Sequence, residues 1–402
     1  MIIDKKGYSY NDLTIVPEVI STISSRSECN PFIENKQLPI FTAPMASVVN
    51  ENNLKDFKNN GITPILPRNI DFEIRKQYLY SQTWVAFSLN EFKQLFIDSI
   101  EEKSNHYYVV VDIANGHMMS LYNICKKAKE IASKNDYELT IMTGNIANPE
   151  TYRYISENCT YIDNNNKTKC VIDYIRIGIG GGSGCITTSN VSTHYPQATL
   201  IDECYRIKQE LKTDRTLRLV ESTNILKPTT KYEYEMPKIV ADGGIRNYDH
   251  VIKALALGAD YVMIGSVFSQ CVESAGEKEV RQENRNHHQL TNCKDFLLDN
   301  EENWWAIKND SNKRQFIGQI YVKFFGMASA DGQKSINGVK TKTAEGITKY
   351  LKVIYSLNGW TDNMISYLRS AMSYTNCRTL SEFIGHPKLI INSISEIQAV
   401  NK

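Results

Sequence analysis

Short apolar segments recur along this chain, and most of them lack a regular alternation of polar and apolar residues. Such runs are typical of strands that are covered on both faces. Amphipathic segments with helical spacing lie between them, including residues 118–134, 149–158 and 248–257. The apolar runs are Leu38–Ala43, Ile62–Leu66, Trp84–Ser88, Tyr107–Ile113, Leu139–Gly144, Asp173–Ile179, Lys238–Gly243 and Asp260–Gly265.

Eight strands that alternate with helices predict an α/β fold, a closed (β/α)8 barrel of the TIM type. An open doubly wound sheet is the alternative, because a strand count made from one sequence can err by one. We expect a single barrel domain over residues 1–402, with insertions at 213–235 and, after the eighth strand, at 279–319. The segment from Lys349 onward is predicted to form a C-terminal helical tail.

Glycine and polar residues gather where the predicted strands end. In (β/α)8 barrels the active site lies at the carboxyl ends of the strands, and phosphate sites favour the loops after strands seven and eight. Here strand seven ends in Asp242-Gly243-Gly244 and strand eight in Gly265-Ser266. Small residues allow backbone N–H groups to approach a phosphate closely. The sequence therefore predicts a phosphate site at this end of the barrel.

A glycine-rich loop with a cysteine follows strand six. Five glycines occur in Gly178–Gly184, and Cys185 comes directly after them. Glycine permits backbone conformations that place successive N–H groups around an anion, and the thiol would then lie beside the bound anion as a nucleophile. The alternative interpretation is a flexible connector with a cysteine that is merely a small buried residue.

Composition narrows the class of protein further. The formal net charge is +1, so no global field indicates nucleic acid or a membrane as partner. The nine cysteines are scattered without a CxxC spacing, which favours reduced thiols in a cytoplasmic compartment. We find no apolar leader at the N-terminus and no run long enough to span a membrane.

From Tyr8 to about Phe383, apart from the two insertions, the chain resembles the IMP dehydrogenase / GMP reductase family. The cysteine loop, the Asp-Gly-Gly strand end and the Gly-Met dipeptide occur in the family's order. The motifs that carry the resemblance are Pro39–Met45, Asp112–His117, Ile141–Asn145, Gly182–Thr187, Tyr195–Gln197, Ala241–Gly244, Gly258–Gly265, Gly326-Met327 and Leu368–Ser370.

The resemblance implies that Cys185 attacks C2 of a purine nucleoside monophosphate and forms a covalent thioimidate, while a nicotinamide cofactor handles the hydride. Asp112, Asn115 and Gly116 would lie on the cofactor side. The family also has a monovalent-cation site, K⁺ being the candidate ion, which the carbonyl groups of Gly180, Gly182 and Cys185 would form here. The implied substrate-binding residues are Ser183, Asp242, Gly243, Gly244, Gly265, Ser266, Met327, Ala328, Lys342 and Gly346.

Two activities occur in the family, and the residues favour the reductase. The dehydrogenase uses an Arg-Tyr pair on a long flap, but only 17 residues separate Met327 from Glu345 and no such pair occurs among them. In the reductase, the glutamate of this segment pairs with the loop threonine, here Thr187, and the pair relays a proton. We therefore expect an NADPH-dependent homotetramer that converts GMP to IMP and ammonia.

Two alternatives stay open. One is oxidation of IMP to XMP, with the hydrolytic base moved into an insertion. The other is a purine-nucleotide-binding protein without turnover. Four departures from the family pattern mark the chain as divergent. Ala46 replaces an aspartate, Tyr367 stands near an expected Gly-Gly, Phe324 or Phe325 replaces a tyrosine near the phosphate, and Lys342 replaces an arginine.

Overall fold

A computed structural model of the chain describes residues 4–98, 104–223, 235–282, 285–290, 305–310, 313–340 and 342–393. Eight parallel strands form its central sheet, one at each of the eight apolar runs, so that prediction is confirmed. From the second strand to the eighth, each strand hydrogen-bonds to the next one along the chain. The strands are β1 (Ile40–Thr42), β2 (Ile65–Leu66), β3 (Trp84–Phe87), β4 (His106–Asp112), β5 (Glu138–Ile146), β6 (Tyr174–Ile177), β7 (Lys238–Asp242) and β8 (Tyr261–Ile264).

The first and last strands close the sheet into a barrel. Strand β8 pairs in parallel with β1, where Val262 lies opposite Ile40. On the other side of β1, the backbone N–H of Thr42 donates to the carbonyl of Thr63, and the N–H of Thr63 donates to the carbonyl of Ile40, both at 3.0 Å. Because β1 bonds to neighbours on both sides, the fold is the closed (β/α)8 barrel rather than an open doubly wound sheet.

Helices follow the strands and cover the outside of the barrel. Helix α5 shows how the sequence sets a helix start: Pro149 occupies the first turn, and the side chain of Asn148 accepts a hydrogen bond from the N–H of Glu150. No helix in the described ranges is long and apolar enough to cross a membrane. The helices are α1 (Leu54–Asn59), α2 (Phe72–Tyr80), α3 (Leu89–Lys93, continued by a π-helical turn Gln94–Asp98), α4 (Met119–Lys134), α5 (Pro149–Asn158), α6 (Thr187–Val191), α7 (Gln197–Thr223), α8 (Tyr248–Ala256), α9 (Ser266–Ser269), α10 (Ala330–Asn337), α11 (Leu357–Tyr374) and α12 (Leu380–Phe383).

Both faces of the barrel strands are buried, which explains why the apolar runs do not alternate. In β4, Val109 and Val111 belong to the larger core cluster that includes helix residues, whereas Val110 belongs to a second cluster made of strand residues such as Met142 and Met263. Successive side chains of a strand point to opposite faces. One face therefore packs against helices and the other fills the barrel.

The segment after β8 forms an antiparallel sheet beside the barrel. Strand β12 is central in this sheet, because it pairs with β9, β11 and β13. In the first expected insertion, residues 213–223 continue helix α7, and residues 224–234 lie outside the described part of the chain. In the second, the structure does not describe residues 283–284, 291–304 and 311–312. The strands are β9 (Lys278–Gln282), β10 (Arg285–Leu290), β11 (Trp305–Asp310), β12 (Lys313–Phe325) and β13 (Thr348–Lys352).

The C-terminal tail is helical from Leu357, but its first residues are not. We expected a helix from Lys349, whereas residues 348–352 form β13 and pair with residues 321–325 of β12. A short segment of mixed polar and apolar residues fits either period, so the neighbouring strand decides its conformation. Farther along, residues 389–391 form a strand that pairs with residues 13–15, which ties the two ends of the described chain together.

Candidate active site

The cysteine loop and the segment around Glu345 are held together by backbone hydrogen bonds. The N–H of Ile186 donates to the carbonyl of Glu345 at 3.1 Å, and the N–H of Ile347 donates to the carbonyl of Gly184 at 2.9 Å. These two bonds place Cys185 directly opposite Gly346 in an antiparallel bridge. Residues that are far apart in sequence thus share one short ladder at the mouth of the barrel.

This ladder places Cys185, Thr187 and Glu345 within hydrogen-bonding distance. The thiol of Cys185 donates to Oγ1 of Thr187, with Sγ and Oγ1 3.2 Å apart. The hydroxyl of Thr187 donates in turn to Oε2 of Glu345 at 3.4 Å. The two bonds form a continuous path for a proton between the sulfur and the carboxylate.

The exposure of Cys185 distinguishes it from the other thiols. Among the eight cysteines in the described ranges, the other seven are buried and only Cys185 is partly exposed. Burial raises the pKa of several of these, including Cys125 and Cys204, well above the usual range. A buried thiol in apolar surroundings is unreactive. The structure therefore favours Cys185 as the thiol that can reach a ligand.

The glycine-rich strand ends adjoin the cysteine loop. The N–H of Gly244 donates to the carbonyl of Gly181 at 3.0 Å. Gly243 and Gly244 have φ angles of +98° and +77°, a conformation that residues with a Cβ seldom adopt. In the same loop, Oγ of Ser183 is buried and has no hydrogen-bond partner in the described chain. A buried hydroxyl without a partner is costly, so a ligand that accepts its proton would stabilise this arrangement.

The other two residues of the expected phosphate site lie at the end of β8. Gly265 is the last residue before helix α9, and Ser266 is the first residue of that helix. A Cβ at Gly265 would lie 3.0 Å from Sδ of Met45, so the strand end packs closely against the loop after β1.

Arg176, which sequence reasoning missed, joins two of the expected site residues. Its Nε donates to Oδ2 of Asp242 at 2.9 Å, and its Nη1 donates to Oδ1 of Asp112 at 2.8 Å. Burial alone would lower the pKa of Arg176, but the carboxylates of Asp242 and Asp112 more than offset this and raise it above its ordinary value. The available signal was a single charged residue within the apolar run Asp173–Ile179.

A second missed residue, Asn145, holds the same carboxylate. Its Nδ2 donates to Oδ2 of Asp242 at 2.7 Å and to the carbonyl of Gly178 at 2.9 Å. Arg176 and Asn145 both donate to Oδ2, so the side chain of Asp242 is fixed. No hydrogen bond to its Oδ1 is found among the residues that the structure describes, so this oxygen can accept from a ligand. A fixed acceptor of this kind suits the hydroxyl groups of a ribose.

The three residues expected on the cofactor side lie together at the end of β4. Asp112 ends the strand, and its carbonyl also accepts from Nη1 of Arg68 at 3.2 Å. The N–H of Gly116 donates to the carbonyl of Asn145 at 2.9 Å, whereas Oδ1 of Asn115 accepts from the N–H of His117. The carboxylate of Asp112 and the side-chain amide of Asn115 are groups of the kind that bind the carboxamide and ribose of a nicotinamide.

The residues expected near the base follow β12 and precede β13. The N–H of Glu345 donates to the carbonyl of Ala328 at 3.0 Å, so the segment that contains Met327 and Ala328 lies against the Glu345–Gly346 segment. Lys342 is the exception. Its backbone N–H donates to Oε1 of Gln333, its side chain is exposed, and no described contact joins it to the other expected residues.

The expected cation site would be formed by backbone carbonyls of the cysteine loop. The described residues contain no group of three or more His, Cys, Asp or Glu side chains that could hold a metal ion, but the expected ligands are backbone carbonyls. The carbonyl of Gly182 accepts the N–H of Cys185 at 3.0 Å and keeps one lone pair. Ligation by Gly180, Gly182 and Cys185 stays a prediction.

Fold and site together define a (β/α)8-barrel protein with an accessible thiol after the sixth strand and glycine-rich strand ends beside it. Residues 98–291 match the model of the IMP dehydrogenase / GMP reductase domain. A GMP reductase of Staphylococcus saprophyticus is 29% identical over 390 residues, which are 94% of this chain and 93% of the relative. GMP reductases of Staphylococcus epidermidis and Staphylococcus aureus are 29% identical over 287 residues, 68% of this chain and 74% of each relative.

The family model and the curated relatives together support the IMP dehydrogenase / GMP reductase family, with the likeness closer to GMP reductase. This likeness supports an oxidoreductase. The resemblance read from the motifs is thereby confirmed.

Proposed function

We propose that this protein is a GMP reductase that converts GMP to IMP and ammonia with NADPH as the reductant. The observation that carries the proposal is the path from Cys185 through Thr187 to Glu345, with separations of 3.2 and 3.4 Å. The relatives named above, which cover most of the chain, support it. The chain would thus interconvert purine nucleotides.

The three residues account for the loss of the amine. Sγ of Cys185 forms a bond to C2 of the purine, and its proton moves to the oxygen of Thr187 and on to Glu345. Thr187 and Glu345 then give one proton to the 2-amino group. This group departs as ammonia, and C2 remains joined to sulfur as a thioimidate. The proton that the thiol loses is the proton that the amine gains, so no further acid is needed for this step.

When it is bound, the nicotinamide cofactor supplies the hydride that C2 needs to become the C–H of IMP. Asp112, Asn115 and Gly116 would hold it at the end of β4. Asp242 would hold the ribose of the substrate, and the backbone around Gly243 and Gly244 its phosphate. Departure of the Cys185 sulfur then regenerates the thiolate. Because the first proton of the thiol left with the ammonia, the exposed Glu345 takes up a new proton from solvent and passes it through Thr187 to the sulfur.

The proposal is tested by following the absorbance of NADPH at 340 nm with purified protein and GMP while ammonia and IMP are assayed in parallel. We expect equal amounts of NADPH consumed and of ammonia and IMP formed. Formation of XMP from IMP and NAD⁺, without reaction of GMP, would overturn the proposal in favour of the dehydrogenase. Nucleotide binding without either reaction would indicate a protein that does not turn over its ligand.

Four finer features rest on the family resemblance and belong to the proposal: NADPH rather than NADH, activation by K⁺ at the carbonyls of Gly180, Gly182 and Cys185, a homotetramer, and a cytoplasmic location. Exchanging NADH for NADPH, and Na⁺ for K⁺, in the same assay tests the first two. Light scattering on the purified protein and microscopy of the tagged protein in its host cells test the others.

A further inference from the structure

Lys349 is not among the expected site residues, and the aromatic ring of Phe324 lies between it and the cysteine loop. Lys349 of β13 is the cross-strand partner of Phe324 of β12, and its Nζ lies 5.6 Å from the centre of the Phe324 ring. That ring is buried, and its Cε1 lies only 2.9 Å from where a Cβ of Gly184 would stand. The ammonium group is therefore positioned by a side chain that packs on the loop beside Cys185.

A second cation lies near Lys349. Arg246 follows the Gly243-Gly244 strand end, whose N–H bonds to the same loop. Both residues adjoin the same loop, Lys349 through the ring of Phe324 and Arg246 through the nearby bond from Gly244 to Gly181. Burial lowers the pKa of Lys349, and the charge of Arg246 lowers it further. Neither side chain forms an ion pair or a hydrogen bond within the ranges that the structure describes.

Two cations at the same loop that form no ion pair with a described residue are unfavourable unless an anion binds there. The unpartnered and buried Oγ of Ser183 lies in the same loop, one residue before Gly184, and points to a ligand independently of the charges. The glycine-rich backbone supplies N–H groups but no full positive charge. The ligand that would match these cations, the hydroxyl and the backbone N–H groups is an anion with two negative charges and several acceptor oxygens.

We propose that Lys349 and Arg246 bind the 5′-phosphate of the nucleotide and so make the enzyme select nucleotides over nucleosides. A phosphomonoester carries about −1.5 to −2 charges at pH 7, and two cations neutralise it where backbone groups alone do not. The inference rests on the proposed function for the identity of the nucleotide.

The location favours the phosphate of the substrate over a phosphate of the cofactor. Lys349 reaches the loop after β6 through Phe324, and Arg246 lies in the loop after β7. The expected cofactor residues Asp112 and Asn115 lie at and after the end of β4. Both cations therefore adjoin the glycine-rich strand ends, and neither has a described contact with the cofactor side.

The test compares Lys349→Met with Lys352→Met, a control on the same strand whose side chain is exposed on the opposite face. Isothermal titration is carried out with GMP, with guanosine and with NADPH. We expect Lys349→Met to weaken GMP binding about tenfold, the usual effect of losing a charged hydrogen bond. Binding of guanosine and NADPH should stay within twofold, and Lys352→Met should change none of the three.

Other outcomes would overturn the inference. Unchanged GMP binding would remove Lys349 from the site, equal weakening of GMP and guanosine would show a merely structural role, and weakening of NADPH alone would assign the cations to the cofactor. If Lys349→Met fails to fold, the exposed Arg246→Gln replaces it with the same expected pattern. Titration needs no turnover, so loss of GMP binding in the variant would support the inference even if GMP were not reduced.

Discussion

Arg176 and Asp242 form a two-point contact at the mouth of the barrel, with Nε and Nη2 of the arginine 2.9 and 2.8 Å from the same carboxylate oxygen. The third nitrogen of the guanidinium bonds to Asp112. One buried side chain thus joins the expected ribose side of the site to the expected cofactor side. Only arginine has a planar group with enough donors for this geometry.

Replacing Arg176 should destabilise the fold as well as the site. Arg176→Met leaves two partly buried carboxylates without their cation, and we expect the free energy of unfolding to fall by about 3 kcal/mol. Arg176→Lys keeps the charge but cannot contact both carboxylates, so its loss should be intermediate. Urea unfolding followed by circular dichroism measures both. The control is Arg153→Met, which breaks a surface pair with Glu210 and should cost less than about 1 kcal/mol.

Under the proposed function, Cys185→Ala should abolish reduction of GMP and leave binding of GMP in place, because the proposed phosphate and ribose contacts do not involve the sulfur. Turnover is measured by NADPH absorbance and binding by calorimetry. Cys159→Ala, a substitution at a buried cysteine, is the matched control and should retain turnover. Appreciable activity in Cys185→Ala would remove the covalent step from the mechanism.

Glu345→Gln separates the two halves of the reaction. The amide cannot carry the proton that the departing amine needs, so we expect the rate of ammonia release to fall by about 10²- to 10⁴-fold. Reduction of a thioimidate that is already formed should change far less. Thr187→Val interrupts the same path and should show the same imbalance in rapid-mixing experiments. Equal losses in both steps would leave Glu345 a positioning residue.

His250 should make the fold sensitive to mild acid. Its ring is buried and bonds to the carbonyl of Gly244 and to Asn11. Burial lowers the pKa of His250 below the ordinary value of about 6.5. Between the lowered pKa and that value the unfolded chain binds the proton more readily than the folded chain, so the free energy of unfolding decreases as the pH falls below about 6.5.

The contribution of His250 is isolated by comparing the protein with His250→Gln. Urea unfolding at pH 5.5, 6.5 and 7.5 should show a smaller loss of stability toward acid in the variant than in the parent. An equal loss in both proteins would show that other groups cause the acid sensitivity. Because His250 holds the carbonyl of Gly244, binding of GMP should weaken only at lower pH, where the folded protein itself takes up the proton.

The barrel could be predicted from sequence because burial on both faces leaves continuous apolar runs, and the sequence shows eight of them. The contact between Cys185 and Thr187 could be anticipated because the residues are close in sequence. The contacts of Arg176 with Asp112 and Asp242 could not be predicted. One charged residue in an apolar strand does not show which carboxylates of other strands will lie next to it. The strand at 348–352 depended on its pairing with 321–325, a long-range contact that no local pattern encodes.

The order of the parts along the chain has a consequence for synthesis. All eight barrel strands end by Ile264, whereas Glu345 lies 158 residues beyond Thr187. A ribosome completes the barrel well before it reaches the acid that the thiol needs, and segments made first tend to fold first. A nascent or truncated chain can therefore display the thiol and the glycine-rich strand ends while it lacks their proton relay. Under the proposed function, activity would therefore report that translation had passed Glu345.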